Sequence, residues 1–164
     1  MQNDTRRPVL GSRKKNAPSF IYEILHGKEK LLYGKGTPHR QKAWEGIAVD
    51  ANIPTVALDQ INSIQEIEMR SSCEGVDMWK PTFLIFRFRK ACDQEEISKF
   101  VAGMNAFPDI SCGADIGNGG MYRIGITTAL WYGKNRSQFV QWWEDLPQKI
   151  RLVLAVIQSL SAQE

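Results

Sequence analysis

Apolar and polar positions are most sharply ordered in KPTFLIFRF, where Phe83, Ile85 and Arg87 alternate with Leu84, Phe86 and Phe88. Period-2 spacing predicts a strand over residues 82–88, and because both faces are apolar up to Arg87 the strand is expected to be central. A shorter strand is expected over 67–70. DISCGADIG and MYRIGITTALWY read as two further strands paired around the glycine-rich turn at 117–120.

Helical spacing marks other segments. Ile97, Phe100, Val101 and Met104 form a stripe behind Asp93, an N-cap, with Glu95 and Glu96 in the first turn, so a helix over 94–105 is predicted. Phe139, Trp143, Leu146, Ile150, Val153, Leu154, Ile157 and Leu160 recur likewise, with Pro147 either kinking one helix or separating two. Thr37-Pro38 resembles a helix start, and Trp44, Ile47 and Ala48 follow at i, i+3, i+4 spacing. This predicts a helix over 37–51. Asn52 and Pro54 end it, and a second helix over 55–64 presents Val56, Leu58, Ile61 and Ile64 to the core. Phe20, Tyr22 and Ile24 suit a hairpin strand, although a helix over 19–32 fits the same residues. The order lacks the regular strand-helix alternation of a doubly wound fold. It predicts an α+β fold, with a mixed, largely antiparallel sheet covered by helices in a single domain over 19–164.

Residues 1–18 carry Pro8, Gly11, Pro18 and clustered charge with few apolar groups, and are expected to form a disordered arm. The first 42 residues hold ten Lys/Arg against three Asp/Glu, whereas the chain as a whole is only +3. Arg6, Arg7, Arg13, Lys14 and Lys15 are therefore candidate contacts to nucleic-acid phosphate, although a solvated tail has the same composition. At 164 residues and 43% hydrophobic composition the chain can bury a core without staples. It has no 18-residue apolar run and no signal-peptide core, so a cytoplasmic protein without a membrane partner is expected. Three widely spaced cysteines and two histidines suggest neither a disulfide framework nor a metal motif, and exclude a three-histidine metal site.

GxxxxGK[ST], GxSxG, HExxH and a helix-opening GxGxxG are all missing. Trp142 and Trp143 beside Arg136, and Phe86 and Phe88 beside Arg87 and Arg89, are either core residues or base-stacking platforms. Cys73 beside Arg70 has the makings of a nucleophile, but both histidines are far away in sequence. In RSSCEGVD, Ser71 and Ser72 supply hydroxyls and Gly75 admits a positive φ, so Ser71, Ser72, Cys73, Glu74 and Gly75 can form an anion-binding cradle. An ordinary surface loop is the competing reading.

The run ALDQINSIQEIEMRSSCEGVD resembles the wybutosine-synthesis methyltransferase-like family, tRNA-modifying proteins in which an Asp-led helix ending in Ile-Asn precedes a short strand and an SSCSGR signature. Asp59, Ile61, Asn62, Ser71, Ser72, Cys73 and Gly75 stand at matching positions, while Glu74 and Val76 replace a Ser and an Arg. The resemblance implies S-adenosylmethionine-dependent methyl transfer to tRNA. Ser72, Cys73 and Glu74 would then sit at the reacting centre, with Arg70, Ser71, Gly75 and Arg123 holding the ligand. Two other readings stay open: a non-enzymatic nucleic-acid or protein-interaction module with the same fold, and a Cys-dependent hydrolase.

Overall fold

The computed structural model describes residues 8–10, 39–117 and 120–162. Among the described residues, seven strands and three helices follow in the order β1 (Pro8–Leu10), β2 (Gln41–Trp44), β3 (Ile47–Asp50), α1 (Thr55–Asn62), β4 (Ile67–Cys73), β5 (Phe83–Phe88), α2 (Gln94–Asn105), β6 (Ser111–Ile116), β7 (Tyr122–Thr127) and α3 (Arg136–Ala162). The fold is α+β, as its sequence pattern predicts. The larger sheet has the order β1-β6-β7-β5-β4 and is antiparallel throughout, with β5 between β4 and β7. Residues 8–10 of the basic arm supply its edge strand β1, whereas Arg6, Arg7, Arg13, Lys14, Lys15 and the expected element at 19–32 lie outside the described residues.

The helix expected over 37–51 is instead a hairpin. Glu45 (φ 48°) and Gly46 (φ 77°) both take positive φ, the signature of a two-residue primed turn, and β2 pairs with β3 from Trp44↔Ile47 to Gln41↔Asp50. Residues three apart are neighbours along a helix and also across such a turn, so the spacing of Trp44 and Ile47 satisfies either structure. The Glu-Gly pair decides it.

Other expectations hold with adjustments. Asp93 and Glu96 close a reciprocal capping box at α2, where the Glu96 N–H donates to Asp93 Oδ1 at 2.8 Å. Pro147 lies inside one continuous helix. In α1 the core-facing residues are Ala57, Leu58 and Ile61, while Val56 points to solvent at 61% exposure. Among the described residues no helix is long and apolar enough to cross a membrane.

Ladder partners share a sheet face. Leu84, Phe86 and Phe88 lie on the face that meets α2 and α3, with Ile124 and Ile126 opposite them on β7. Phe86, Phe88 and Phe100 form a three-ring edge-to-face cluster with centroids 5.2–6.0 Å apart. Both α1 and α2 pack against α3. Phe83 and Ile85, on the other face, are also buried.

Strand β4 runs three residues beyond its expected end and carries an irregularity at Arg70. Met69 opposes Phe86, but Ser71 opposes Ile85. The bulge reverses the alternation, so Ser71 and Cys73 turn to the face opposite the helices, where a regular strand would have kept them on the face of Ile67 and Met69. Most of the SSCEG stretch is thus strand, and the connection to β5 begins only at Glu74.

Candidate functional site at the end of β4

Cys73 closes β4, Asp50 closes β3, and His39 stands two residues before Gln41, the ladder partner of Asp50. The hairpin folds His39 back beside Asp50 and lays both against the end of β4. One ligand atom from each of His39, Asp50 and Cys73 lies within 4.8 Å of the others, with His39 Nε2 3.8 Å from Asp50 Oδ2. Glu74 completes the group: its carboxylate Oε2 is 3.7 Å from His39 Nδ1.

Each member is held from behind. Asp50 Oδ2 accepts from the Glu74 N–H at 2.8 Å, and Asp50 Oδ1 accepts from Gln41 Nε2. Glu74 accepts from the Asn52 backbone at 3.3 Å and from its side-chain amide at 3.1 Å. Cys73 Sγ accepts from the Gly75 N–H at 3.4 Å. Gly75 has φ +85°, and a Cβ there would sit 2.6 Å from Thr82 N and 2.7 Å from the Trp131 side chain, so glycine is required on both counts. Below the site the Thr82 hydroxyl donates to the Cys73 carbonyl at 2.6 Å and accepts from Trp143 Nε1 at 2.9 Å.

Two carboxylates, Asp50 and Glu74, are almost completely buried here, and among the described residues neither is ion-paired with a lysine or arginine. Burial, reinforced by the negative charge of Asp50, pushes the Cys73 thiol up to about 12. A protonated, buried thiol is a poor nucleophile, which corrects the reading of Cys73 as an activated attacking group. Sequence separation had set the histidines apart from Cys73, yet His39 lies beside it. No short-range spacing marks His39, Asp50, Asn52 or Gln41, because hairpin closure and the β4 bulge bring them together.

Of the two readings of SSCEG, a cradle or an ordinary surface loop, the surface loop does not fit the burial. Ser71, Ser72, Cys73 and Glu74 are all buried, and among the described residues Ser71 Oγ has no hydrogen-bond partner. A small cavity of about 80 Å³ reaches Ser71 and Ser72 from Trp44, Val49 and Leu58. Arg70 is exposed and pairs with Glu68 at 3.4 Å. Arg123 lies four residues along β7 from Thr127, about 13 Å from this end of the sheet, and its buried guanidinium pairs with Asp115 at 3.3 Å.

The rim is aromatic and basic. Between Glu74 and Thr82 the chain makes a small turn in which Val76 N–H donates to Lys80 O at 2.7 Å and Asp77 Oδ1 accepts from the backbone of Trp79 and Lys80 at 2.8 and 3.0 Å. Its tip presents Met78 and Trp79, the latter 69% exposed. The turn is anchored to the segment before α3 at both ends, by Tyr132 N–H to Glu74 O at 3.1 Å and Thr82 N–H to Leu130 O at 2.9 Å. In that segment Lys134 Nζ stands 5.1 Å over the Trp131 ring and the Arg136 guanidinium 5.0 Å over Tyr132. Trp142, Trp143, Phe86 and Phe88 are buried in the core and present no stacking surface.

No protein-family model, curated protein or solved structure matches the chain.

Proposed function

We propose that the chain binds single-stranded RNA across the rim of the β4 site, as a protein of the RNA-modifying kind that its SSCEG stretch resembles. The observation that carries this reading is Trp79. Its indole is 69% exposed on a turn whose backbone Asp77 holds by two hydrogen bonds, so a large apolar ring is presented to water from an ordered turn. Such a ring is a stacking platform for an unpaired base, and Lys80, Lys134 and Arg136 on the adjoining segments supply charge for phosphate. The basic arm, through Arg6, Arg7, Arg13, Lys14 and Lys15, would extend the phosphate contact.

Methyl transfer from S-adenosylmethionine to tRNA is the chemistry that the resemblance implies. A pre-formed nucleophile on the acceptor would need positioning more than an activated protein group. A reducing cytoplasmic setting agrees with three free cysteines.

Fluorescence anisotropy with tRNA and with an unstructured oligoribonucleotide at low salt tests the reading. Binding that falls with added salt and weakens about fivefold or more in Trp79→Ala is expected, given about 1–3 kcal/mol for each stacked base. Failure to bind either RNA overturns it. Calorimetry with S-adenosylmethionine then separates a methyltransferase from an RNA-binding module that keeps the fold without the reaction.

A further inference from the structure

We propose that His39, Asp50 and Cys73 are the protein ligands of a mononuclear zinc site, with Glu74 orienting the histidine from behind. The inference stands on the geometry of the cluster and is independent of RNA binding.

The donor set is the first argument. An imidazole nitrogen, a carboxylate oxygen and a thiolate sulfur together suit a borderline-soft ion such as Zn²⁺, whereas calcium and magnesium prefer oxygen alone. Bond lengths near 2.0–2.3 Å place tetrahedral ligand atoms about 3.3–3.6 Å apart. His39 Nε2 and Asp50 Oδ2 are 3.8 Å apart and the three ligand atoms all lie within 4.8 Å of one another, so side-chain rotation of an ångström or so closes the set.

The surrounding hydrogen bonds are the second. Metal-bound histidine commonly directs its other ring nitrogen at a carboxylate, and His39 Nδ1 faces Glu74 Oε2 at 3.7 Å. Asp50 has one oxygen toward the histidine while Gln41 and the Glu74 N–H hold the carboxylate in place. The Gly75 N–H points at Cys73 Sγ, the donor a thiolate would keep. All three ligands thus have an outer partner that fixes their aim.

Charge balance is the third. Asp50 and Glu74 are buried around the single imidazole of His39, with no lysine or arginine within ion-pair distance among the described residues and Lys42 acting on Glu74 only from farther off, a costly arrangement that a divalent cation offsets. On loading, the Cys73 S–H bond is replaced by a sulfur–zinc bond and the proton leaves to solvent, with no change of oxidation state. Three ligands among the described residues leave a fourth tetrahedral position to solvent or substrate, the pattern of reactive rather than purely structural zinc.

Cobalt substitution in the full, chelator-treated chain tests this directly. Co²⁺ should bind as a single ion per chain, giving tetrahedral d–d bands and a thiolate-to-cobalt charge-transfer band, both displaced by Zn²⁺. The charge-transfer band should vanish in Cys73→Ser and persist in Cys92→Ser. Asp50→Asn and His39→Ala should each lower affinity, and Glu74→Gln should lower it about 10–100-fold, as loss of an outer partner does. If Cys73→Ser does not fold, the wild-type protein still decides: Zn²⁺ must raise its melting temperature with a concentration dependence that fits one site. Absence of the charge-transfer band in wild type, its survival in Cys73→Ser, or unchanged affinity in His39→Ala overturns the site. Because RNA binding is measured separately, either reading can fail alone.

Discussion

Trp143, in the N-terminal third of α3, donates its indole N–H to the hydroxyl of Thr82 at 2.9 Å, and that hydroxyl in turn donates to the carbonyl of Cys73 at 2.6 Å. One buried hydroxyl therefore connects the longest helix to the end of the site strand. Thr82→Val keeps the shape but removes both an acceptor and a donor, leaving the Trp143 N–H buried without its partner. A loss of about 2–4 kcal/mol in urea unfolding is expected. Thr82→Ser, which keeps the hydroxyl, should retain most of the stability.

Gly75 and Gly46 separate two costs that glycine substitutions usually mix. Both have positive φ, +85° and +77°. A Cβ at Gly46 meets nothing within 4 Å, so Gly46→Ala should show only the backbone penalty, about 1 kcal/mol. At Gly75 the same Cβ meets Pro81 and Thr82 backbone at 2.6–2.7 Å, atoms that cannot swing away. Gly75→Ala should therefore be destabilised well beyond Gly46→Ala, and should also perturb the thiol of Cys73, whose N–H donor it displaces. Equal losses in the two variants, measured by denaturant titration, would contradict the packing described.

How far the sequence could be read follows from which contacts are local. Asp93 with Glu96, and the 3.6-residue recurrence from Phe139 through Leu154, describe α2 and α3 because a helix is built from near neighbours. The alternation in FLIFRF likewise gives β5 its central place. The 37–51 segment misleads because Trp44 and Ile47 are neighbours in a helix and in a primed hairpin alike. Only Glu45-Gly46 distinguishes them, and glutamate rarely takes the positive φ it has here. The site was half legible. SSCEG is its β4 side, but its position on the sheet depends on a bulge at Arg70 that no local pattern announces, and His39 and Asp50 arrive through tertiary pairing.

Arg123 is buried against Asp115. Its guanidinium and Asp115 meet through two contacts of 3.3 Å with both side chains nearly inaccessible, and the aliphatic stem passes 3.2 Å from where a Cβ on Gly117 would lie. Arg123→Met removes the charge and keeps much of the stem, so buried Asp115 loses this ion pair. A loss of about 3–5 kcal/mol is expected, the range for breaking one side of a buried pair. RNA affinity per folded molecule should be unchanged, which distinguishes a packing role from a ligand contact.

The three cysteines should differ in reactivity in an order set by burial. Cys92 is half-buried, while Cys73 and Cys112 are inside, and burial raises all three thiols, Cys73 to about 12. Iodoacetamide at mild alkaline pH should modify Cys92 first, with Cys73 and Cys112 reacting at comparable rates only after denaturation. Fast alkylation of Cys73 in the folded, metal-free chain would restore the nucleophile reading. The same shift fixes a sign. The Cys73 thiol ionises near 9.0 when unfolded and near 12 when folded, so the unfolded chain binds fewer protons between those values. The stability contributed by this raised pKa is complete below pH 9 and is lost as pH rises toward 12. Compared with Cys73→Ala, the metal-free wild type should therefore lose unfolding free energy more steeply over that window, in denaturant titrations at successive pH values.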